Sequence, residues 1–316
     1  MSSKRPGADA QAPAGRRRAW RRQVAECVFL PAIGAALPWP LAWRALRMLA
    51  ARGRFFDDET MRAQRMCDAQ RFVHDRPSWL QRHRLMRIVD HIDAAISATR
   101  GDRWMARHLV VEGDPLPAAP CVFVGFHYGT GFWSLRHLRR LGHRVSFLSA
   151  PIDAAQWRAE PLRLAFMRWR QQRVADAGGA PVIYVGGSAD RIRAALRGGA
   201  SVLALIDVPE PTTSTATVRL LGHDVQFPDG ILRIAAAERV PLAGYVASLD
   251  ARDGTRHLRF TRLPDEPAQA LHALAAMLDA AVRRDPAAWH FWSEWPRFAK
   301  RGSSAAAGEG AMAGLR

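Results

Sequence analysis

The residues best suited to chemistry stand together in one stretch, Gly125-Phe126-His127-Tyr128-Gly129-Thr130-Gly131-Phe132-Trp133. His127 follows CVFVGF (121–126), a short β-branched and aromatic run that reads as a buried strand. A glycine-rich turn comes next and opens a helix, WSLRHLRRLG (133–142), which stops at Gly142. Strand ends and helix starts converge in α/β proteins, and reactive groups gather there. An imidazole so placed can take a proton from a hydroxyl. The amides of the turn and of the helix start can donate to a developing oxyanion or to a phosphate. The plain alternative is a structural histidine that closes the strand. Cys27, Cys67 and Cys121 are scattered, odd in number and without C-x-x-C spacing. They argue against a disulfide framework or a zinc site and fit a reducing compartment. No metal and no cofactor is expected.

Positioning these groups falls to strands that alternate with helices. VSFL (145–148), PVIYV (181–185), SVLALI (201–206), VPLAGYVAS (240–248) and HLRFTRL (257–263) read as strands. Ser188 can cap the helix ADRIRAALR, which Gly198-Gly199 closes. AQALHALAAMLDAAVRR (268–284) places Leu271, Leu274, Leu278 and Val282 on one helical face and stops at Asp285-Pro286. The alternation over 120–285 predicts an α/β fold, a sheet with helical cover. Upstream, Met61, Met66, Phe72, Leu85, Ile88, Val89, Ile92 and Ile96 recur at three- and four-residue spacing, so 55–108 reads as a helical layer. No internal repeat is present, and the low-complexity tail 301–316 is expected to be disordered.

A chain of 316 residues, 48% of them hydrophobic, can bury one domain of roughly 250 residues with tails. It carries 11 Trp and 13 Phe against 3 Tyr, a supply that suits half-wet, half-apolar sites. The net charge of +17 draws nucleic acid, anionic lipid or an acidic protein. No nucleic-acid-binding motif accompanies it, and nucleic acid is not an expected partner. Lys4 and Lys300 are the only lysines, so part of this charge reflects a bias toward arginine as such.

Residues 1–25 are polar and basic, and are expected to be disordered or adsorbed on a charged surface. The apolar run from Cys27 to Trp43 lacks a small-x-small cleavage site, and Pro31, Pro38 and Pro40 interrupt it below the length of a span. It fits a segment over 26–54 that lies in a membrane interface, with Trp39 and Trp43 on its apolar face. Arginines on both sides of the run leave no orientation bias for translocation.

Taken in order, these segments resemble the lysophospholipid and lipid A acyltransferase superfamily, in particular the late lipid A lauroyl and myristoyl acyltransferases. The His127 segment is similar to its first motif, a His, four residues and then an acid. Arg191 to Gly199 followed by SVLALIDVPE resembles its helix, glycine turn and strand ending in an acid, here Asp207. Residues 218–246 resemble the next block, with a turn at Leu221-Gly222, and RRDPAAWHFWSEWPRF (283–298) its aromatic end. The resemblance covers roughly 27–300. It implies a mixed sheet covered by helices, as in glycerol-3-phosphate acyltransferases, spanning 55–300. It further implies acyl transfer from acyl carrier protein or acyl-CoA to a hydroxyl of a lipid or glycolipid, at the cytoplasmic face of a bacterial inner membrane. His127 would be the general base, with Gly129, Thr130, Gly131, Arg191, Asp207 and Gly222 at the substrate. The family's orienting acid is missing, because Phe132 stands in its place. Either Asp207, Asp153 or Glu210 replaces it, or the chain is a catalytically inactive lipid- or partner-binding relative. Arg168, Arg170 and Arg173 beside Trp169 form either a docking face for an anionic donor or an ordinary solvated helix side. Trp289 and Trp292 are expected in the core, and Trp295 either there or at a bilayer.

Overall fold

The computed structural model describes residues 13–53, 55–209 and 214–298, so Glu210 and the tail 301–316 lie outside the described residues. The chain begins as a layer of helices: α1 (Pro13–Val24), a π-helical turn (Ala25–Phe29), α2 (Leu30–Ala36), α3 (Trp39–Ala51), α4 (Asp57–Ala69), α5 (Arg76–Thr99) and α6 (Asp102–His108). The basic stretch, expected to be disordered or adsorbed on a charged surface, is helical over Pro13–Val24. Of its arginines Arg22 finds partners, reaching Glu26 one turn on and Asp58 on α4. Among the described residues no helix is long and apolar enough to cross a membrane.

α5 is the spine of this layer. Its Ile88, Val89, Ile92 and Ile96 recur at helical spacing and are fully buried, and α2 and α3 pack against it. The inner face of α3 corrects one expectation. Trp39 and Trp43 are only 5% and 3% exposed, and their indole N–H groups donate to the carbonyls of Asp253 and Arg252, each at 2.8 Å. They belong to the protein core rather than to an interface with lipid.

The rest of the chain builds the sheet: β1 (Leu109–Gly113), β2 (Val122–Gly125), α7 (Phe132–Arg140), β3 (Val145–Ser149), α8 (Pro161–Gly178), β4 (Ile183–Tyr184), α9 (Ala189–Arg197), β5 (Ser201–Leu205), β6 (Thr215–Leu220), β7 (His223–Pro228), α10 (Gly230–Glu238), β8 (Leu242–Leu249), β9 (Arg256–Arg262) and α11 (Pro267–Arg284). Seven strands lie in the order β1-β9-β8-β2-β5-β3-β4, all parallel to their neighbours except β8 and β9. The fold is thus α/β with a mixed seven-stranded sheet. β2 and β5 read as unbroken apolar runs because helices cover both sheet faces and neither set of side chains meets water. Outside this sheet β6 and β7 form a hairpin, turned at Leu221 and Gly222 with φ of 51° and 85°. Two consecutive left-handed residues match the right-handed twist of the hairpin strands.

One buried ion pair ties the helical layer to the sheet. Arg256 of β9 meets Asp93 of α5 with both side chains essentially inaccessible, and its Nη1 also donates to the carbonyl of Gly254 at 2.9 Å. The guanidinium lies over the rings of Trp39, Trp104 and Trp133, at 4.5, 5.5 and 5.9 Å. Asp93→Ala leaves that charge buried without its counter-ion, so a loss of about 3–5 kcal/mol is expected. Urea denaturation measures it, and a loss under about 1 kcal/mol would show that the indoles alone hold the cation. The pair replaced together by Leu and Met should cost far less, because no bare charge remains.

Candidate active site

The strand register fixes what stands at the centre. β2 and β5 run parallel with Gly125 opposite Leu205, and both end there. Two residues further on, each chain delivers a functional side chain at the carboxyl edge of the sheet: His127 from β2 and Asp207 from β5. The chain can turn at this point because Gly129 adopts φ +67°, and a Cβ there would fall 1.9 Å from the carbonyl oxygen of Ala247. Gly125 is required for space, since a Cβ would sit 2.4 Å from the ring of Tyr245.

His127 Nδ1 lies 2.9 Å from Asp207 Oδ1. The backbone N–H of His127 donates to both carboxylate oxygens, at 2.9 and 3.0 Å, and the Trp289 indole N–H donates to Oδ2 at 2.9 Å. An ionised carboxylate only accepts, so Nδ1 carries the proton and Nε2 keeps its lone pair. Asp207 has no exposed surface, whereas 30% of the His127 side chain is accessible. Phe291 stacks on the imidazole at 4.1 Å and 21°. Nε2 makes no hydrogen bond among the described residues. The result is an oriented base with one free nitrogen.

The segment after α11 supports this pair from behind. Gly129 N–H donates to Ala288 O at 2.9 Å, and His290 N–H donates to His127 O at 2.9 Å. These bonds flank a bridge between Tyr128 and Trp289, so three consecutive residues of the C-terminal segment each have a task. Trp289 holds the carboxylate, His290 holds the turn, and Phe291 holds the ring. His290 Nε2 also lies 2.8 Å from Gly129 O.

His127 opens on a cavity of about 760 Å³. Its lining includes the apolar Phe132, Leu135, Phe147, Val174, Leu205 and the ring of Tyr245. The polar set comprises Arg87, Asp90, His91, Arg170 and His290. Its charges are matched within the protein: Arg170 bonds Asp90 at 2.9 Å and Arg87 bonds Glu59. Burial, aided by the Arg170 charge, pushes the His91 imidazole down to about 3. Burial lowers His290 as well, with Asp90 opposing the shift and Arg87 adding to it. Both imidazoles are therefore neutral near pH 7. Burial raises the Tyr245 hydroxyl to about 12.

Of the residues expected at the substrate, Gly129 and Gly131 line the cavity beside His127. Thr130 is fully buried and does not reach the cavity wall. Asp207 sits behind the imidazole and is sealed from any substrate, so its place is that of the orienting acid. Arg191 is exposed on α9 and donates to Tyr184 O and Gly186 O, while Gly222 is exposed at the β6–β7 turn, and neither lines the cavity. Asp153 lines the cavity but accepts from Ala155 N–H rather than from His127. Phe132, at the position of the missing acid, packs into the core with one side on the cavity. The α8 arginines divide: Arg170 faces the cavity, Arg173 pairs with Asp176 at 2.6 Å, and Arg168 is exposed. Trp289, Trp292 and Trp295 are all buried.

The sequence reading missed His290 and Phe291 as site residues, and the polar cavity residues of α5. The available signal was the aromatic run Trp289-His290-Phe291 directly after the Asp285-Pro286 helix stop, which marks a segment shaped by packing rather than by solvent.

A carboxylate-oriented histidine at the carboxyl edge of a mixed α/β sheet, open to a half-apolar cavity, is an arrangement suited to general-base chemistry. No protein-family model matches this chain, and no curated protein matches it.

Proposed function

We propose that the protein transfers a fatty acyl group from an acyl thioester, carried by acyl carrier protein or CoA, to a hydroxyl of a lipid or glycolipid. One observation carries this reading: His127 presents a free Nε2 to the cavity while Asp207 fixes its Nδ1. The expectation of an inactive relative rested on the missing acid at position 132. A carboxylate reaches the imidazole nonetheless, from β5. The mixed sheet with helical cover is compatible with the glycerol-3-phosphate acyltransferase-like architecture that the resemblance implies.

In the proposed reaction Nε2 takes the proton of the acceptor hydroxyl as its oxygen attacks the thioester carbonyl. Asp207 steadies the imidazolium that forms. The N–H groups of Phe132 and Trp133 at the start of α7, which borders the cavity at Gly131 and Phe132, are suited to receive the oxyanion. Collapse expels the thiolate, which takes the proton back from Nε2. The apolar lining residues suit an acyl chain, and the polar ones suit the acceptor head.

The test is transfer of a labelled acyl group from acyl carrier protein or CoA to a bacterial lipid extract. His127→Ala should abolish transfer while leaving the protein folded. Transfer undiminished in that variant would reject the mechanism.

A further inference from the structure

We infer that the free edge of β1 is a homodimer interface, where a second copy of the chain adds its own β1 antiparallel and joins the two sheets. β1 is an outermost strand of the seven-stranded sheet and pairs with β9 alone. The Asp114 N–H donates to Phe260 O at 3.0 Å, so the even-numbered residues of β1 aim their backbone groups at β9. Backbone groups alternate sides along a strand, which turns the N–H and C=O of Leu109, Val111 and Gly113 outward. Among the described residues no strand meets them. An open row of this kind is a template for another strand.

The two outer edges of the sheet are treated differently. β4 is only two residues long, and Arg191 Nη2 donates to the carbonyls of Tyr184 and Gly186, so the chain itself covers that margin. β1 runs for five residues with no lysine or proline to discourage a neighbour. Val110 and Val111, on opposite faces of it, are instead 40% and 39% exposed. A cavity of about 690 Å³ continues this apolar surface, lined by Val111, Leu116, Leu141 and Phe260, with Leu141 half exposed.

Charge selects the occupant and its direction. Arg107 stands just before β1, exposed and without an ion pair among the described residues. Asp114 stands just after it, and its carboxylate accepts from the Arg262 N–H but meets no cation there. A parallel contact between two copies would set like charges side by side. An antiparallel two-fold centred on Val111 pairs Leu109 with Gly113 of the other copy and Val111 with itself, the one register that engages all three outward residues. It also brings Arg107 of each copy toward Asp114 of the other. Glu112, already matched by Arg259 at 2.6 Å, then falls opposite Val110 rather than opposite its own equivalent. The inference does not depend on acyl transfer being the reaction.

The experiment is sedimentation of the full chain across the micromolar range, where a dimer is expected. Val111→Pro removes an outward N–H and leaves the β1–β9 ladder whole, as edge strands allow. Two N–H···O bonds are lost per dimer, so association should weaken on the order of tenfold or more. Val111→Lys sets two ammonium groups across the two-fold and should act likewise, and it decides the matter if the proline variant misfolds. Unchanged circular dichroism shows that a variant is folded. Val111→Cys should cross-link the dimer under mild oxidation, because Cα atoms in a hydrogen-bonded antiparallel pair stand about 5.5 Å apart. Val110→Cys, which faces Glu112, should not, and the native Cys27, Cys67 and Cys121 are buried. A chain that stays monomeric throughout, or a dimer that the folded Val111 variants leave equally tight, would overturn the inference. So would a dimer that forms only once residues 299–316 are removed, since the edge would then belong to that segment.

Discussion

Replacing Asp207 with asparagine is expected to lower kcat for acyl transfer by about 10⁴-fold, with KM nearly unchanged. The reason is the saturation of both carboxylate oxygens. Oδ1 accepts from Nδ1 and from the His127 N–H, and Oδ2 accepts from the same N–H and from the Trp289 indole. An asparagine amide must set its NH₂ against a donor whichever way it is turned. Set toward Nδ1, it forces the proton onto Nε2 and removes the base. Set toward Trp289, it opposes an indole N–H and strains the carboxamide away from the ring. Because Asp207 is sealed behind the imidazole, substrate binding should not register the change. Steady-state kinetics on folded protein decides the matter. A loss smaller than tenfold would mean that His127 does not depend on this carboxylate, and the proposed mechanism would fail with it. The converse substitution carries a smaller expectation. Phe132→Glu should not raise activity, because that position is already packed into the core and the imidazole is already held from the other side.

The sequence shows His127 at the end of a buried strand because the cue is local: a strand, a histidine and a glycine turn within a dozen residues. The same holds for six of the eight strands from residue 121 onward, whose β-branched runs carry their own signature. Asp207 was one of three open acids, and nothing nearby in the chain could select it. Selection came from the pairing of β2 with β5, a long-range register that places residues eighty apart side by side. Trp289, His290 and Phe291 were hidden for the same reason, since their partners lie far upstream. Trp39 and Trp43 show a different limit. Helical spacing reveals that an apolar face exists but not whether protein or lipid covers it, and here α5 and the β8–β9 turn do. The hairpin β6–β7 is read only as a turn at Leu221-Gly222, although Val218, Leu220, Val225 and Phe227 alternate with polar residues as half-buried strands do.

Stability should fall steeply as pH drops from 6.5 toward 4, before most carboxylates are protonated. His83, His91 and His290 are held neutral by burial, and each has its imidazole pushed below the ordinary 6.5. In the unfolded chain they would titrate near 6.5, so between that pH and their lowered folded values the unfolded state binds more protons. Stability therefore rises with pH across this window and is lost as pH falls through it. For His91, lowered to about 3, each pH unit below 6.5 costs about 1.4 kcal/mol, or about 3 kcal/mol by pH 4. Urea midpoints measured from pH 7 to pH 4 should show the decline. His91→Gln keeps a donor for the Glu26 carbonyl, which His91 Nε2 now meets at 3.0 Å, but cannot titrate. That variant should therefore give a visibly flatter curve, and an unchanged slope would show that the acid sensitivity lies elsewhere. The same environment bears on the chemistry. His91 and His290 stand beside Arg87 and Arg170 and resist protonation. His127 alone among the cavity histidines has a carboxylate within hydrogen-bond distance of a ring nitrogen.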